Sequence, residues 1–300
     1  MQITLPSGWV LINGVPHRPE QATVSVFDRG FLYGDSVFET MRAYRGVVLD
    51  VDLHLERLER SAGTLGIELS ADRLTFRKEI AEGVALMGKA DLMVRVMHTR
   101  GVGPVRVDPT TANRGSRIVM VTPLEAQPPA RYELGLAAAL LPQFSPSRLG
   151  AEEAPKTGNY LYAVLASARL SGLNASEGLL ADEEGRIVEG VTSNLFWVAD
   201  GCLWTPPPHE QVLSGVTQRA LLECARALGL RVEYAAPSPS ELLAADEVMI
   251  SSSLREVMAV VSVDGHRIGQ GAPGPIYRAL LEAYRQRTER YVLAAEKALP

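Results

Sequence analysis

Dipeptides ending in glycine punctuate this chain and restrict its fold more than any other feature. Asn13-Gly14, Arg45-Gly46, Asp200-Gly201 and Asp264-Gly265 each stand beside runs of alternating or apolar residues. Such pairs favour the tight turns between antiparallel strands, because glycine takes a positive φ without steric cost. Residues 36–44 and 47–50 around Arg45-Gly46 are expected to form a hairpin, and two more are expected to turn at 182–186 and at Asp200-Gly201. Further strands are expected over 8–15, 22–27, 91–99, 116–122, 134–140, 247–252 and 257–263, with Asp28-Arg29-Gly30 a turn or loop. Elsewhere the apolar spacing takes the period of a helix. Asp52 reads as the N-cap of a helix reaching about Gly66, with Leu55, Leu58, Ala62 and Leu65 as its buried stripe. Helices are also expected over 71–87, 158–170 and 217–228, and a long amphipathic one from Pro275. The fold class is α+β.

A chain of 300 residues is expected to make about two domains. Residues 122–131 hold Pro123, Pro128 and Pro129 without periodicity and read as a linker. It separates a small α+β domain, 1–121, from a large domain, 132–300. The strand-rich second half predicts a mixed sheet or barrel. No Gly-x-Gly-x-x-Gly follows a strand and there is no Walker loop, so a dinucleotide or P-loop fold is not expected. The net charge is −5 with no basic block, which argues against nucleic acid as a partner. Cys202 and Cys224 have no metal-ligand spacing, so no metal centre and no disulfide scaffold are expected. No apolar run reaches the ~18 residues of a membrane span. Met1–Thr4 lacks the basic start of a leader, and the expected location is the cytoplasm.

Lysine usage is more telling. Of 30 basic residues only Lys78, Lys89, Lys156 and Lys297 are lysines. Chemistry that needs an amine able to lose a proton has only these four, because arginine stays charged. Lys78 lies in a polar helix, Lys89 in a loop and Lys297 at the chain end. Lys156 stands between Pro155 and an apolar helix, where partial desolvation would free the amine as a nucleophile. Arg57, beside His54 on the first helix, lies roughly 110° off the centre of the apolar stripe and is expected to reach a ligand at the helix flank, its fork suiting phosphate. Ser214-Gly215-Val216-Thr217 opens a helix whose N–H groups suit an anion. Ser251-Ser252-Ser253 ends an apolar strand, and Glu189 precedes a core strand. Taken singly, each feature also fits a surface lysine, a solvated helix face, a plain cap or an edge residue. Together they supply one amine, several phosphate donors and a carboxylate, the parts needed to hold pyridoxal phosphate.

These residues resemble, in order and over nearly the whole chain, the class IV aminotransferases, the fold type IV family of pyridoxal phosphate enzymes. Asp28-Arg29-Gly30 with Tyr33-Gly34-Asp35-Ser36-Val37-Phe38-Glu39 is similar to the family's N-terminal signature. His54-Leu55-Glu56-Arg57-Leu58 resembles its phosphate-binding helix, and Lys156-Thr157-Gly158-Asn159-Tyr160 its Schiff-base lysine motif. Glu189-Gly190-Val191-Thr192-Ser193-Asn194-Leu195-Phe196 is similar to the motif whose glutamate meets the pyridine nitrogen. Gly215-Val216-Thr217 and Ser252-Ser253 match the remaining phosphate turns. The resemblance implies a two-domain fold, with a small N-terminal and a larger barrel-like C-terminal domain. It implies Lys156 as the Schiff-base lysine and proton carrier, and Glu189 as partner of the ring nitrogen. It implies Arg57, Val216, Thr217, Ser252 and Ser253 as phosphate ligands and Tyr160 as a further cofactor contact. Tyr33, Phe38, Arg95, Arg106 and Arg255 would line the substrate pocket. It also implies a homodimer, in which a first-domain loop of one subunit closes the other's site. The expected reaction moves an amino group between an amino acid and a 2-oxo acid. Tyr160 and Arg95 resemble the branched-chain branch. Thr99-Arg100-Gly101 resembles the D-amino acid branch, whose arginine and histidine would fall near Arg106 and Asp108. The alternatives are an aminodeoxychorismate lyase and a non-catalytic binding protein on the same fold.

Overall fold

A computed structural model describes residues 7–144, 154–208 and 212–298. Met1–Thr4, read above as free of a leader, lie outside them. The chain clusters into two compact units, one of Met1–Glu125, Pro155–Tyr160 and Arg290–Pro300, the other of Ala126–Ala154 and Leu161–Glu289. The segment carrying Lys156, expected in the large domain, therefore belongs by its contacts to the first unit. The reason is main-chain pairing, described with the site below.

The first unit runs β1 (Trp9–Ile12), β2 (Val15–His17), α1 (Arg29–Tyr33), β3 (Ser36–Tyr44), β4 (Val47–Val48), α2 (Val51–Thr64), α3 (Arg73–Ala85), β5 (Leu92–Thr99) and β6 (Arg117–Pro123). Its sheet has the order β2-β1-β6-β5-β3-β4 and every pair is antiparallel. The hairpins turn where glycine marks them: Asn13 and Gly14 have φ of 52° and 82°, Arg45 and Gly46 of 49° and 83°. Side chains alternate across a strand. Val37, Met41 and Ala43 of β3 and Leu92, Val94 and Val96 of β5 therefore share one face, where they pack with Leu55, Leu58 and Ala62 of α2 and Phe76 and Ile80 of α3. Each of the larger of these side chains contributes about 1.5–3 kcal/mol on burial. Three expectations change. Residues 22–27 form no strand, and Asp28-Arg29-Gly30 opens α1, Gly30 N–H donating to Asp28 Oδ1 at 2.8 Å. Asp50, not Asp52, precedes α2, and Asp52 sits in the first turn, where its oxygens accept from Arg77.

The second unit runs α4 (Pro129–Leu134), β7 (Leu136–Leu140), α5 (Leu161–Leu170), β8 (Glu177–Ala181), β9 (Ile187–Gly190), β10 (Ser193–Ala199), β11 (Cys202–Thr205), α6 (Val216–Ala227), β12 (Val232–Tyr234), α7 (Pro239–Leu243), β13 (Glu247–Ser252), β14 (Glu256–Val263), β15 (His266–Arg267) and α8 (Pro275–Ala298), of which the residues from Arg290 on count with the first unit. Its strand order is β12-β11-β10-β13-β14-β7-β8-β9, with β15 beside β14. Because β9 also pairs with β10, the strands from β10 through β9 close on themselves as a mixed barrel. Strands β8 and β10 are buried on both faces, which is why 179–181 and 195–199 read as apolar runs and not as alternation. Leu179, Leu195, Ile250 and Met258 belong to the core. Glu247 of β13 caps α8, its carboxylate accepting from Ile276 N–H at 2.9 Å and Tyr277 N–H at 2.8 Å. Among the described residues no helix is long and apolar enough to cross a membrane.

Candidate active site

Lys156 is fixed by its own main chain. Its N–H donates to Ser61 Oγ of α2 at 3.0 Å, and its carbonyl accepts from Phe38 N–H at 3.0 Å. Gly158 N–H donates to Ser36 O at 2.8 Å, and Val37 and Thr157 form an antiparallel bridge. Residues 156–158 thus extend the sheet beside the start of β3, so the expected helix starts only at Leu161. The approach is close enough that a Cβ on Gly158 would collide with Ser36 Oγ. Thr157 lies opposite Val37 on the helix-facing side of the sheet, which sends Lys156 to the other side with Phe38. There Nζ lies 4.5 Å from the Phe38 ring centroid and 3.4 Å from Tyr160 Oη, with the Tyr160 ring edge-on to Phe38. The Arg95 guanidinium covers Phe38 at 3.9 Å from the centroid. Burial pulls its pKa below the ordinary value. Neither Lys156 nor Arg95 meets a carboxylate among the described residues. Two cations with aromatic walls and no counter-ion among the described residues leave positive charge available to an anion.

The helix-facing side of β3 is balanced. Glu39 is fully buried and takes Arg57 as a bidentate pair, Nε to Oε1 and a terminal nitrogen to Oε2, both at 2.7 Å. His54 Nδ1 lies 2.7 Å from Oε2. Burial works to raise the Glu39 pKa, but the Arg57 charge, its hydrogen bonds and His54 outweigh it and hold the group at about 2. Arg57 was expected to leave the core face for the helix flank. It is buried instead, drawn inward because a carboxylate in that core row requires a cation.

Tyr33 is exposed and lies under the buried Arg29, whose guanidinium is 5.0 Å from the ring centroid. Arg29 grips three successive carbonyls: NH1 donates to Arg106 O at 2.6 Å and Asp108 O at 3.4 Å, and NH2 to Val107 O at 3.0 Å. Asp35 Oδ2 accepts from Arg29 and from Arg100, and these bonds hold its pKa low against the opposing effect of burial. The Arg106 side chain is exposed. Asp108, considered above for a substrate contact, caps a short turn through Thr110.

In the second unit the other expected residues gather at one end of the barrel. Glu189 is the penultimate residue of β9, and its Oε2 accepts from Leu213 N–H at 3.3 Å. Asn194, opposite Glu189 on β10, donates through Nδ2 to Leu213 O at 2.7 Å. The lead into α6 is thereby tied to both residues, and a Cβ on Gly215 would collide with Asn194 Oδ1. Val216 and Thr217, both buried, open α6, where first-turn N–H groups lack intrahelical acceptors. Ser252 ends β13 and Ser253 begins the turn to β14, where Arg255 N–H donates to Ser252 O at 3.2 Å. Next to them Ser251 Oγ is buried and without a partner among the described residues. Arg255, expected to face a substrate, pairs with the buried Glu177 at 2.7 Å, Oε2 to NH2.

Three residues of these networks were given no role of their own from the sequence, Arg29 and Glu39 standing only within the N-terminal signature and Glu177 not at all. Glu39 had a signal: it breaks an apolar row between Val37 and Met41. Arg29 and Glu177 had none in local pattern, because their partners are remote in sequence.

The profile described as "Amino-transferase class IV" matches residues 36–263. A Methanocaldococcus jannaschii protein named as a putative branched-chain-amino-acid aminotransferase is 33% identical over 279 residues, covering 92% of this chain and 95% of its own. A Bacillus licheniformis D-alanine aminotransferase is 32% identical, covering 89% and 92%. A branched-chain amino acid aminotransferase from T.th., solved with pyridoxamine 5′-phosphate, superposes with a TM-score of 0.88 at 28% identity, over 94% of both chains. With well over half its length in the family profile, and curated relatives above 30% identity along almost all of it, the chain belongs to the class IV amino-transferase family.

Proposed function

We propose that this aminotransferase uses pyridoxal 5′-phosphate attached at Lys156 to move amino groups between an amino acid, of the branched-chain or D-amino acid type, and a 2-oxo acid. The observation that carries this reading is the Lys156 amine, held by main-chain bonds on both sides and facing a phenol and two rings with no acid beside it among the described residues. The residues present suit that cofactor. Val216 and Thr217 N–H groups with Ser252 and Ser253 would supply phosphate donors, Glu189 a carboxylate and Tyr160 a phenol, whereas Arg57 is committed to Glu39. When bound, the cofactor supplies an electron sink for the charge left on the substrate Cα. Lys156 would carry the proton between the substrate Cα and the cofactor C4′. Glu189 would keep a proton on the ring nitrogen. Arg95, with Tyr33 and Phe38, would hold the substrate. Its guanidinium has no acid partner among the described residues and faces the same ring as Lys156, so it is the fittest grip for an α-carboxylate. Arg106 projects from the loop held by Arg29 and would reach a second subunit's substrate. A homodimer is supported by the apolar cluster of Phe27, Phe31, Val105 and Val107, each more than half exposed.

The test is spectroscopic. Purified protein mixed with a panel of L- and D-amino acids should lose its visible band as the pyridoxamine band grows, for members of one class. A band that survives the whole panel removes amino-acid transamination and leaves the lyase reading. Borohydride reduction followed by peptide mapping should mark Lys156. A mark on Lys78, Lys89 or Lys297 would sink the assignment.

A further inference from the structure

Glu177 opens β8 and is almost wholly buried. Its Oε1 accepts from Gly178 N–H at 3.1 Å and from Val191 N–H at 3.2 Å. Its Oε2 accepts from Ser193 Oγ at 3.0 Å and pairs with Arg255 NH2 at 2.7 Å. Arg255 in turn donates from Nε to Ser252 Oγ at 3.2 Å and from NH2 to Thr192 Oγ1 at 3.1 Å. Two hairpin tips meet on this pair. One joins β9 to β10 through Val191 and Thr192 and carries Glu189. The other joins β13 to β14 and carries Ser252 and Ser253. They are neighbours because β10 and β13 pair with Asn194 opposite Ser251.

We infer that Glu177 and Arg255 act together as positioning residues that set the distance between the ring-nitrogen carboxylate, Glu189, and the phosphate-binding serines, and that Arg255 does not grip the substrate carboxylate. This rests on the pyridoxal phosphate reading above. The physical argument is one of commitment. Arg255 spends two of its nitrogens on a buried carboxylate and two hydroxyls, one on each tip. Its planar fork can span both tips at once, which a lysine cannot. Glu177 anchors the fork from below and also holds the first tip directly through Val191 and Ser193. The cradle's spacing is thereby fixed before any ligand arrives.

The test uses the full-length protein and reads cofactor binding apart from turnover. Apoprotein is titrated with pyridoxal phosphate and with inorganic phosphate, and KM and kcat are measured for an amino acid and for an amine that lacks a carboxylate. Arg255→Lys keeps a cation on Glu177, so the fold is retained, but it cannot reach both tips. It should weaken pyridoxal phosphate and phosphate binding by roughly 10-fold or more, on the scale of one charge-assisted hydrogen bond. The losses on amino acid and amine should be equal. Thr192→Val, a milder change on the first tip alone, should shift cofactor affinity in the same direction by a smaller factor. Adding Glu177→Gln to Arg255→Lys should cost less than the sum of the two single changes, because both break one network. Parental cofactor affinity in Arg255→Lys, with KM raised for the amino acid only, overturns the inference and returns Arg255 to the substrate. A parent protein that takes up no cofactor, or carries it on another lysine, overturns the reading beneath it as well.

Discussion

On the helix-facing side of β3, the Arg57 guanidinium meets both oxygens of Glu39, and His54 completes the contact. On the opposite side, Arg95 and Lys156 meet, among the described residues, the rings of Phe38 and Tyr160 and one phenol oxygen, and no carboxylate. A single strand separates a neutralised cation from two that are not. A core tolerates an arginine only with its acid, whereas a site that must receive an anion leaves the acid out. The pairing state of a cation thus separates a structural from a receptive position better than its burial does, for Arg57 and Arg95 are both substantially buried.

Removing the receptive amine is expected to have the largest effect. Lys156→Ala should lower turnover by about 10³-fold or more while leaving the melting temperature close to that of the parent. Comparable loss in both would place Lys156 on the structural side. Next comes the balanced side. Glu39→Ala leaves Arg57 buried without its acid and should cost about 3–5 kcal/mol of unfolding free energy, read from urea melts. A cost under about 1 kcal/mol would show that Arg57 finds water, and the contrast between the faces would vanish. Arg95→Leu should do the reverse. Little stability is lost, while KM for amino acids rises roughly 10–150-fold, the worth of one charge-assisted hydrogen bond, and KM for a simple amine stays put.

The smallest expected effect concerns protons. His98 lies on the helix-facing row of β5 and is fully buried, with Nε2 accepting from Ser70 N–H at 3.0 Å. Burial and the nearby Arg117 charge push its pKa from 6.5 down to about 4. The fold therefore holds it neutral while the unfolded chain takes up a proton below about pH 6.5, so stability falls as pH drops toward 4. Between pH 6.5 and pH 5 the loss is on the order of 2 kcal/mol. Glu39 adds a second loss, beginning below pH 4.5 and running to about 2. His98→Gln should make the first limb of a stability–pH curve shallower, leaving the part due to His54, whose pKa burial also lowers, and spare the second. An unchanged first limb assigns the proton elsewhere.

Much of this was legible in sequence, for identifiable reasons. Turns that need a positive φ announced themselves at Asn13-Gly14, Arg45-Gly46, Asp200-Gly201 and Asp264-Gly265, where the structure has that backbone. Five-residue α1 was not legible, because one turn of helix has no period to detect. Helix α7, equally short and not among the expected helices, did leave a mark. Ser238-Pro239-Ser240-Glu241 is a capping box with proline at its start, and the bond from Glu241 N–H to Ser238 Oγ is present. Lys156 stood out by scarcity and by its neighbours. Its place beside β3 did not, because pairing with Ser36–Phe38 joins positions about 120 residues apart, which no local period encodes. The same holds for Arg255, whose acid lies far upstream at Glu177.

Arg29 holds residues 106–108 by their carbonyl oxygens alone. The course of that loop is thus written in atoms that every amino acid shares, while Val105, Arg106 and Val107 all point outward. Mutation can exchange those three side chains without redrawing the path, so descent with modification can retune which molecules the loop greets while its geometry is inherited unchanged.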